Sequence, residues 1–213
     1  MKKDPLIRLN ELTERYDLPL WREGTVFAGM DEAGRGPLCG NVTVGCVVMP
    51  PRPLIPYVDD SKKLSEKRRE ELYDAIVRTA LYWSVGEASP DEIDRLNILE
   101  ATKLAMRRAA AAVPAGLFLI DAVKNVGLNG RECPIVHGDA LSYSIAAASI
   151  IAKVTRDREM AELDRLYPGY GFADHKGYGT ARHIAALKAL GPCPAHRRTF
   201  ITHFVPAGEG TAP

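Results

Sequence analysis

The chain of 213 residues has almost no surplus of charge, since 28 lysines and arginines against 27 acids leave a net +1. No global positive field draws it to nucleic acid, so any such binding has to come from local patches. Cysteine is scarce: Cys39, Cys46, Cys133 and Cys193 form neither a C-x-x-C pair nor a zinc-ligand spacing. A disulfide framework and a zinc-finger site are thereby excluded, and reduced structural thiols are expected. The longest apolar run, Ile145 to Ala152, falls far short of the roughly 20 residues of a membrane span. No signal-peptide pattern stands at the N-terminus, so a soluble, cytoplasmic protein is expected. No Ser-His-Asp or Cys-His constellation is recognisable. Gly34-Arg35-Gly36 is followed by Cys39 where G-x-G-x-x-G needs its third glycine, and Asp31 and Glu32 beside it would repel a pyrophosphate, which argues against a dinucleotide loop.

What is present is enough apolar material, 46% of residues, for one α/β domain and too little length for two large ones. Residues 1–24 are a polar extension with Leu9, Leu12, Tyr16 and Leu18 at loosely helical spacing; a short amphipathic helix is expected there, with no function assigned. Residues 25–213 form the single main domain, including a helical C-terminal part. Strands are expected at 26–31, 42–49, 81–88, 117–121 and 133–137, the second as a hairpin partner of the first, stopped by Pro50, Pro51 and Pro53. Ser65, the capping box Ser89-Pro90-Asp91-Glu92, Asn97 and Thr180 mark helix starts. Small residues and isoleucines from Tyr143 to Asp157 describe a helix packed tightly on the sheet. The glycine-rich, aromatic stretch Tyr167 to Thr180 reads as a mobile loop.

Two apolar strands end in carboxylates: Val26–Met30 runs into Asp31 and Glu32, and Leu117–Ile120 into Asp121. Charges at the mouth of an apolar element cost several kcal/mol, order of magnitude, unless compensated, and a divalent cation is the usual compensation. Solvated acids in a strand-to-loop turn are the plainer alternative. Asp139, just before the small-residue helix, reads equally well as its N-cap. The basic run Lys62 to Arg69 is either a solvated helix face or a phosphate contact.

Asp31-Glu32-Ala33-Gly34-Arg35-Gly36-Pro37 resembles the signature of type 2 ribonucleases H, the ribonuclease HII family. Asp60-Ser61-Lys62-Lys63-Leu64-Ser65 resembles the family's D-S-K-x-L-S. Ile145 to Asp157 resembles its I-A-A-A-S-I-x-A-K-V-x-R-D, and His196 to Phe200 its H-R-x-S-F ending, so the likeness spans Phe27 to Phe200. Two departures stand out: Ala122 replaces the glycine of V-D-G, and Leu141 stands where a lysine is common.

The resemblance implies an α/β, ribonuclease H-like fold with a mixed five-stranded central sheet flanked by helices. It implies an endoribonuclease that hydrolyses the RNA strand of RNA/DNA hybrids. It further implies nicking 5′ of ribonucleotides embedded in duplex DNA, leaving 5′-phosphate and 3′-hydroxyl ends, as in ribonucleotide excision repair. Asp31, Glu32, Asp121 and Asp139 would be the catalytic, metal-binding acids. An all-oxygen set without histidine or cysteine suits Mg²⁺ or Mn²⁺, two ions during catalysis. Gly34, Arg35, Gly36 and Tyr178 would address the 2′-hydroxyl, with Ser61, Lys62 and Lys176 near phosphates. Val205 to Pro213 contains no glutamine and no paired aromatics, so no clamp-binding peptide is expected, and a monomer is the default. Another two-metal nuclease on the same fold would have no reason to carry the G-R-G loop and Tyr178 together. Ribonuclease HIII would need an extra N-terminal domain, and a non-catalytic hybrid-binding module would be expected to have lost an acid.

Overall fold

The computed structural model describes residues 4–205. Strand β1 (Phe27–Ala33) pairs antiparallel with β2 (Val42–Val48), the expected hairpin. Strand β3 (Tyr82–Ala88) continues antiparallel on the far side of β2. On the other flank, β4 (Leu117–Asp121) runs parallel to β1, and β5 (Arg131–Ile135) parallel to β4. The result is a mixed five-stranded sheet of order β3-β2-β1-β4-β5. The last strand lies earlier than the expected 133–137, and Val136 is left exposed beyond its end.

Because β1, β2 and β4 are apolar on both faces, both faces have to be covered. Helix α5 (Ile98–Ala111) lies over β2 and β3, and the long α6 (Tyr143–Leu166) over β1 and β2. Strand alternation divides the core accordingly: Ala28, Met30, Phe118 and Ile120 pack with Met106 of α5, while Phe27, Leu117 and Leu119 pack with Ile145 of α6. Gly29 lets α6 approach β1 backbone to backbone, since a Cβ there would lie 2.2 Å from the Ser144 carbonyl carbon. Backbone cannot yield as a side-chain tip can, so Gly29→Ala is expected to cost roughly 3 kcal/mol or more. Urea unfolding reads this directly, and a loss below about 1 kcal/mol would mean that α6 is not held so closely.

The remaining helices are α1 (Pro5–Glu14), α2 (Asp17–Arg22), α3 (Glu66–Thr79), α4 (Pro90–Leu96), α7 (Phe172–His175), α8 (Ala181–Leu190) and α9 (Arg198–Ile201). Ser65, the Ser89/Glu92 box, Asn97 and Thr180 cap α3, α4, α5 and α8 as their sequence positions foretold. Two expectations are corrected. The N-terminal extension holds two helices rather than one, because Asp17 leaves the α1 direction to accept bonds from the Tyr143 and Ser144 amides of α6 at 3.0 and 2.9 Å. The Tyr167–Thr180 stretch is no mere loop: it contains α7, anchored by the buried, stacked rings of Tyr170 and Phe172, 5.1 Å apart. No helix among the described residues is long and apolar enough to cross a membrane. The absence of a clamp-binding peptide concerns Val205 to Pro213, of which 206–213 lie outside the described residues.

Candidate active site

Met30 of β1 and Ile120 of β4 are partners in the parallel register, so Asp31 and Asp121 leave adjacent strands side by side. Both follow the alternation of Phe27 and Leu119 and therefore face the α6 side of the sheet. Asp121 Oδ1 accepts the Gly138 amide at 2.7 Å, which fixes the 3₁₀ turn Gly138–Ala140 against the end of β4. That turn carries Asp139. One oxygen from each of Asp31, Asp121 and Asp139 lies within 4.8 Å of the others. Asp139 is not the cap of α6: Ser142 Oγ takes the Ile145 amide at 3.3 Å, and Asp17 takes the two amides before it.

Glu32 follows Asp31 directly and points to the other face, as alternation requires. It lies outside that trio. Its Oε1 is 3.4 Å from Arg35 Nη1, while Oε2 is buried with no hydrogen-bonding partner. Burial, followed by the charges of Glu32, Asp121 and Asp139, holds the Asp31 carboxyl well above the usual carboxylate range. Burial also raises Glu32 against the opposing pull of Arg35, and raises Asp121 against the Gly138 amide. The near cation is Lys62, whose Nζ sits 3.5 Å from Asp139 Oδ2. Partial burial lowers its pKa, but Asp139, Asp31 and Asp60 outweigh that and raise it. One lysine and one arginine facing four acids leave negative charge that burial makes expensive. An orphaned carboxylate oxygen and an oxygen-only donor set fit a hard divalent cation held by Asp31, Asp121 and Asp139, with Glu32 beside it.

The glycine loop lies next to these acids. Gly34 has φ +92°, a left-handed conformation that suits glycine. A Cβ on Gly36 would sit 3.6 Å from Tyr178 Cε1, so the G-R-G loop and Tyr178, 142 positions apart, are neighbours (178 minus 36). The Tyr178 side is open to solvent, the residue being 50% exposed. The Leu38 amide donates to the Gly177 carbonyl at 2.8 Å and joins the two loops. Lys62 stands on the 3₁₀ turn Ser61–Lys63. Ser61 is buried at the start of that turn, its amide donating to Ser149 Oγ at 3.2 Å. Ala122, at the position where the family favours glycine, has φ +53°, which explains the glycine and makes alanine the strained choice.

Sequence reasoning missed the residues behind these loops. Arg156 and Arg197 are 1% and 0% exposed and bond to the carbonyls of the glycine loop. His175 is half-buried and stacks on His183 with ring centroids 4.5 Å apart. His183 Nδ1 meets the Tyr178 carbonyl at 3.0 Å, and its Nε2 meets His196 Nε2 at 3.1 Å. The signals for this layer were the arginines of two family likenesses, Arg156 in the Ile145–Asp157 stretch and Arg197 in His196–Phe200, and neither carried any geometry.

A sheet in this order, with acids at the ends of its adjacent parallel strands, is the arrangement of a ribonuclease H-like, divalent-metal-dependent nuclease. The comparisons with known proteins narrow this. The ribonuclease HII family profile matches residues 28–204. Ribonuclease HII of Geobacter sulfurreducens is 56% identical over 176 residues, covering 82% of this chain and 81% of its own length. Among solved structures, the RNase HII of the Archaeoglobus fulgidus PCNA:RNase HII complex superposes with a TM-score of 0.69 at 30% identity, covering 81% of this chain and 93% of that one. Ribonuclease H2 of Pyrococcus horikoshii gives 0.66 at 27%, covering 81% and 92%. The chain belongs to the ribonuclease HII family. It is accordingly a metal-dependent ribonuclease H endonuclease that hydrolyses the RNA strand of RNA/DNA hybrids.

Proposed function

We propose that the protein nicks duplex DNA 5′ of a single embedded ribonucleotide as well as cutting RNA/DNA hybrids, giving 5′-phosphate and 3′-hydroxyl ends. What supports this reading is that Gly36, on the loop that follows Asp31 and Glu32 directly, and Tyr178 are neighbours, so that a probe for a 2′-hydroxyl there would lie near the acidic trio. Asp31, Asp121 and Asp139 would hold two Mg²⁺ or Mn²⁺ ions, with Glu32 offering its free oxygen. Bound there, such ions would supply an activated water and charge neutralisation at the leaving oxygen, so no side-chain nucleophile would be needed.

The chain's own residues do the rest. The backbone of Gly34, Arg35 and Gly36 and the Tyr178 hydroxyl bind the 2′-hydroxyl, the only mark of a lone ribonucleotide in DNA. The Tyr178 ring stacks on the following deoxyribose, its open face being available for this. Lys62 and Lys176 meet backbone phosphates, and Ser61 anchors the turn that presents Lys62. The test is cleavage of a labelled duplex containing one ribonucleotide, with Mg²⁺ or Mn²⁺. A nick on the 5′ side that needs the metal is expected. A hybrid that is cut while the single-ribonucleotide duplex stays whole would reduce the protein to a hybrid-only ribonuclease.

A further inference from the structure

The carbonyls of the glycine loop converge on one buried side chain. Arg197 Nη2 donates to Gly34 at 2.6 Å, to Gly40 at 2.8 Å and to Asn41 at 3.1 Å. Its Nη1 reaches Pro37 at 2.8 Å and Arg35 at 3.1 Å, and Nε reaches Gly40 at 3.0 Å. Every one of these bonds ends on a backbone carbonyl. A trans peptide points its N–H opposite to its C=O. The Gly34 and Arg35 carbonyls turned inward to Arg197 therefore turn the amides of Arg35 and Gly36 outward, and both of those residues are exposed. Arg156 completes the device from below. It donates to Asn41 at 3.2 Å, to Cys39 at 3.0 Å and to Lys176 at 3.0 Å, so it ties the glycine loop to the segment that carries Tyr178.

We infer that Arg197, aided by Arg156, is a positioning residue for ribonucleotide recognition: it turns the Arg35 and Gly36 amides toward substrate and holds them beside Tyr178. This rests on the proposal that the loop and Tyr178 read the 2′-hydroxyl. The guanidinium is suited to the task because its planar fork spans several acceptors, whereas a lysine offers its donors from a single point. Arg197→Lys keeps the charge and most of the stem but cannot hold five carbonyls. It is expected to spoil recognition of the ribonucleotide while leaving general contact with the duplex phosphates intact.

The experiment is fluorescence anisotropy in an Asp121→Asn parent that cannot cleave, with Mg²⁺, comparing an all-DNA duplex with the same duplex carrying one ribonucleotide. The parent should prefer the ribonucleotide duplex. Adding Arg197→Lys should cut that preference roughly ten-fold, the value of one or two oriented hydrogen bonds, with affinity for all-DNA changed less than about two-fold. An unchanged preference in a folded Arg197→Lys protein overturns the inference, as does an equal loss on both duplexes, which is what a merely structural role would give. A parent without any preference brings down the reading of the 2′-hydroxyl site, and this inference with it. Folding is checked by circular dichroism. Should Arg197→Lys not fold, Arg156→Gln in the same parent takes its place, with the same expected loss and the same overturning results.

Discussion

Asp31→Asn is expected to reduce metal-dependent cleavage at least about 10³-fold, because it would remove a ligand from the proposed centre that supplies both the nucleophile and charge neutralisation, and at the same time to stabilise the metal-free protein. The two effects have one cause. Asp31 is 5% exposed, and burial together with Glu32, Asp121 and Asp139 raises its pKa well above the ordinary 3.8. A carboxyl whose folded pKa is raised favours the folded state while protonated, and that contribution is lost as pH rises from its unfolded value through its folded one. At neutral pH, above the unfolded pKa, the wild type therefore carries a penalty in the absence of metal that asparagine, being neutral and nearly isosteric, does not. Thermal midpoints in EDTA at pH 7.5 should be higher for the variant, and the gap should close as pH falls toward 3.8. Adding Mg²⁺ should raise the wild-type midpoint in proportion to the logarithm of its concentration over Kd, and raise that of the variant much less. Equal midpoints in EDTA, with no Mg²⁺ response in the wild type, would mean that the acids do not form a shared site.

What could be read in the chain beforehand follows a physical division. Asp31 and Asp121 announced themselves because a charge ending an apolar strand is locally improbable, and Ser65, Ser89, Asn97 and Thr180 because capping is decided within three residues. The side on which Glu32 falls needed only the alternation of β1; of the four motif acids expected together, the three aspartates bring one oxygen each within 4.8 Å of one another, and Glu32 stands beside them, its charge acting on Asp31 and feeling that of Asp121. Strand order was out of reach, since β1 pairs with β4 across 90 positions in the register Phe27 to Leu117 (117 minus 27). The deepest omissions are Arg156, Arg197 and Asp17. Charged residues are ordinarily solvated, and nothing near them in sequence reveals that their partners lie 115, 157 and 126 positions away. The glycines were legible as glycines but not as the places where α6 and the arginines come close.

The proposed recognition of the ribonucleotide carries the second large effect. A site built to bond a hydroxyl rejects the analogue lacking it by roughly 10⁴ to 10⁵, because its own polar groups are left unpaired. An all-DNA duplex should therefore be cut at least that much more slowly than one with a single ribonucleotide. Tyr178 offers both a hydroxyl and a half-exposed ring to this selection, with Gly36 at its edge. The two contributions separate by substitution. Tyr178→Phe keeps the ring and should lower kcat/KM on the single-ribonucleotide duplex about ten-fold, the worth of one hydrogen bond. Tyr178→Ala loses stacking as well, a further 1 to 3 kcal/mol or roughly ten- to hundred-fold, so its total deficit should reach about 10² to 10³. The Tyr178 side chain is exposed and its backbone carbonyl, not its ring, meets His183, so neither variant should unfold the loop. Should Tyr178→Ala cut as fast as wild type, the hydroxyl is read elsewhere, and the backbone of Gly34, Arg35 and Gly36 would have to carry the whole discrimination.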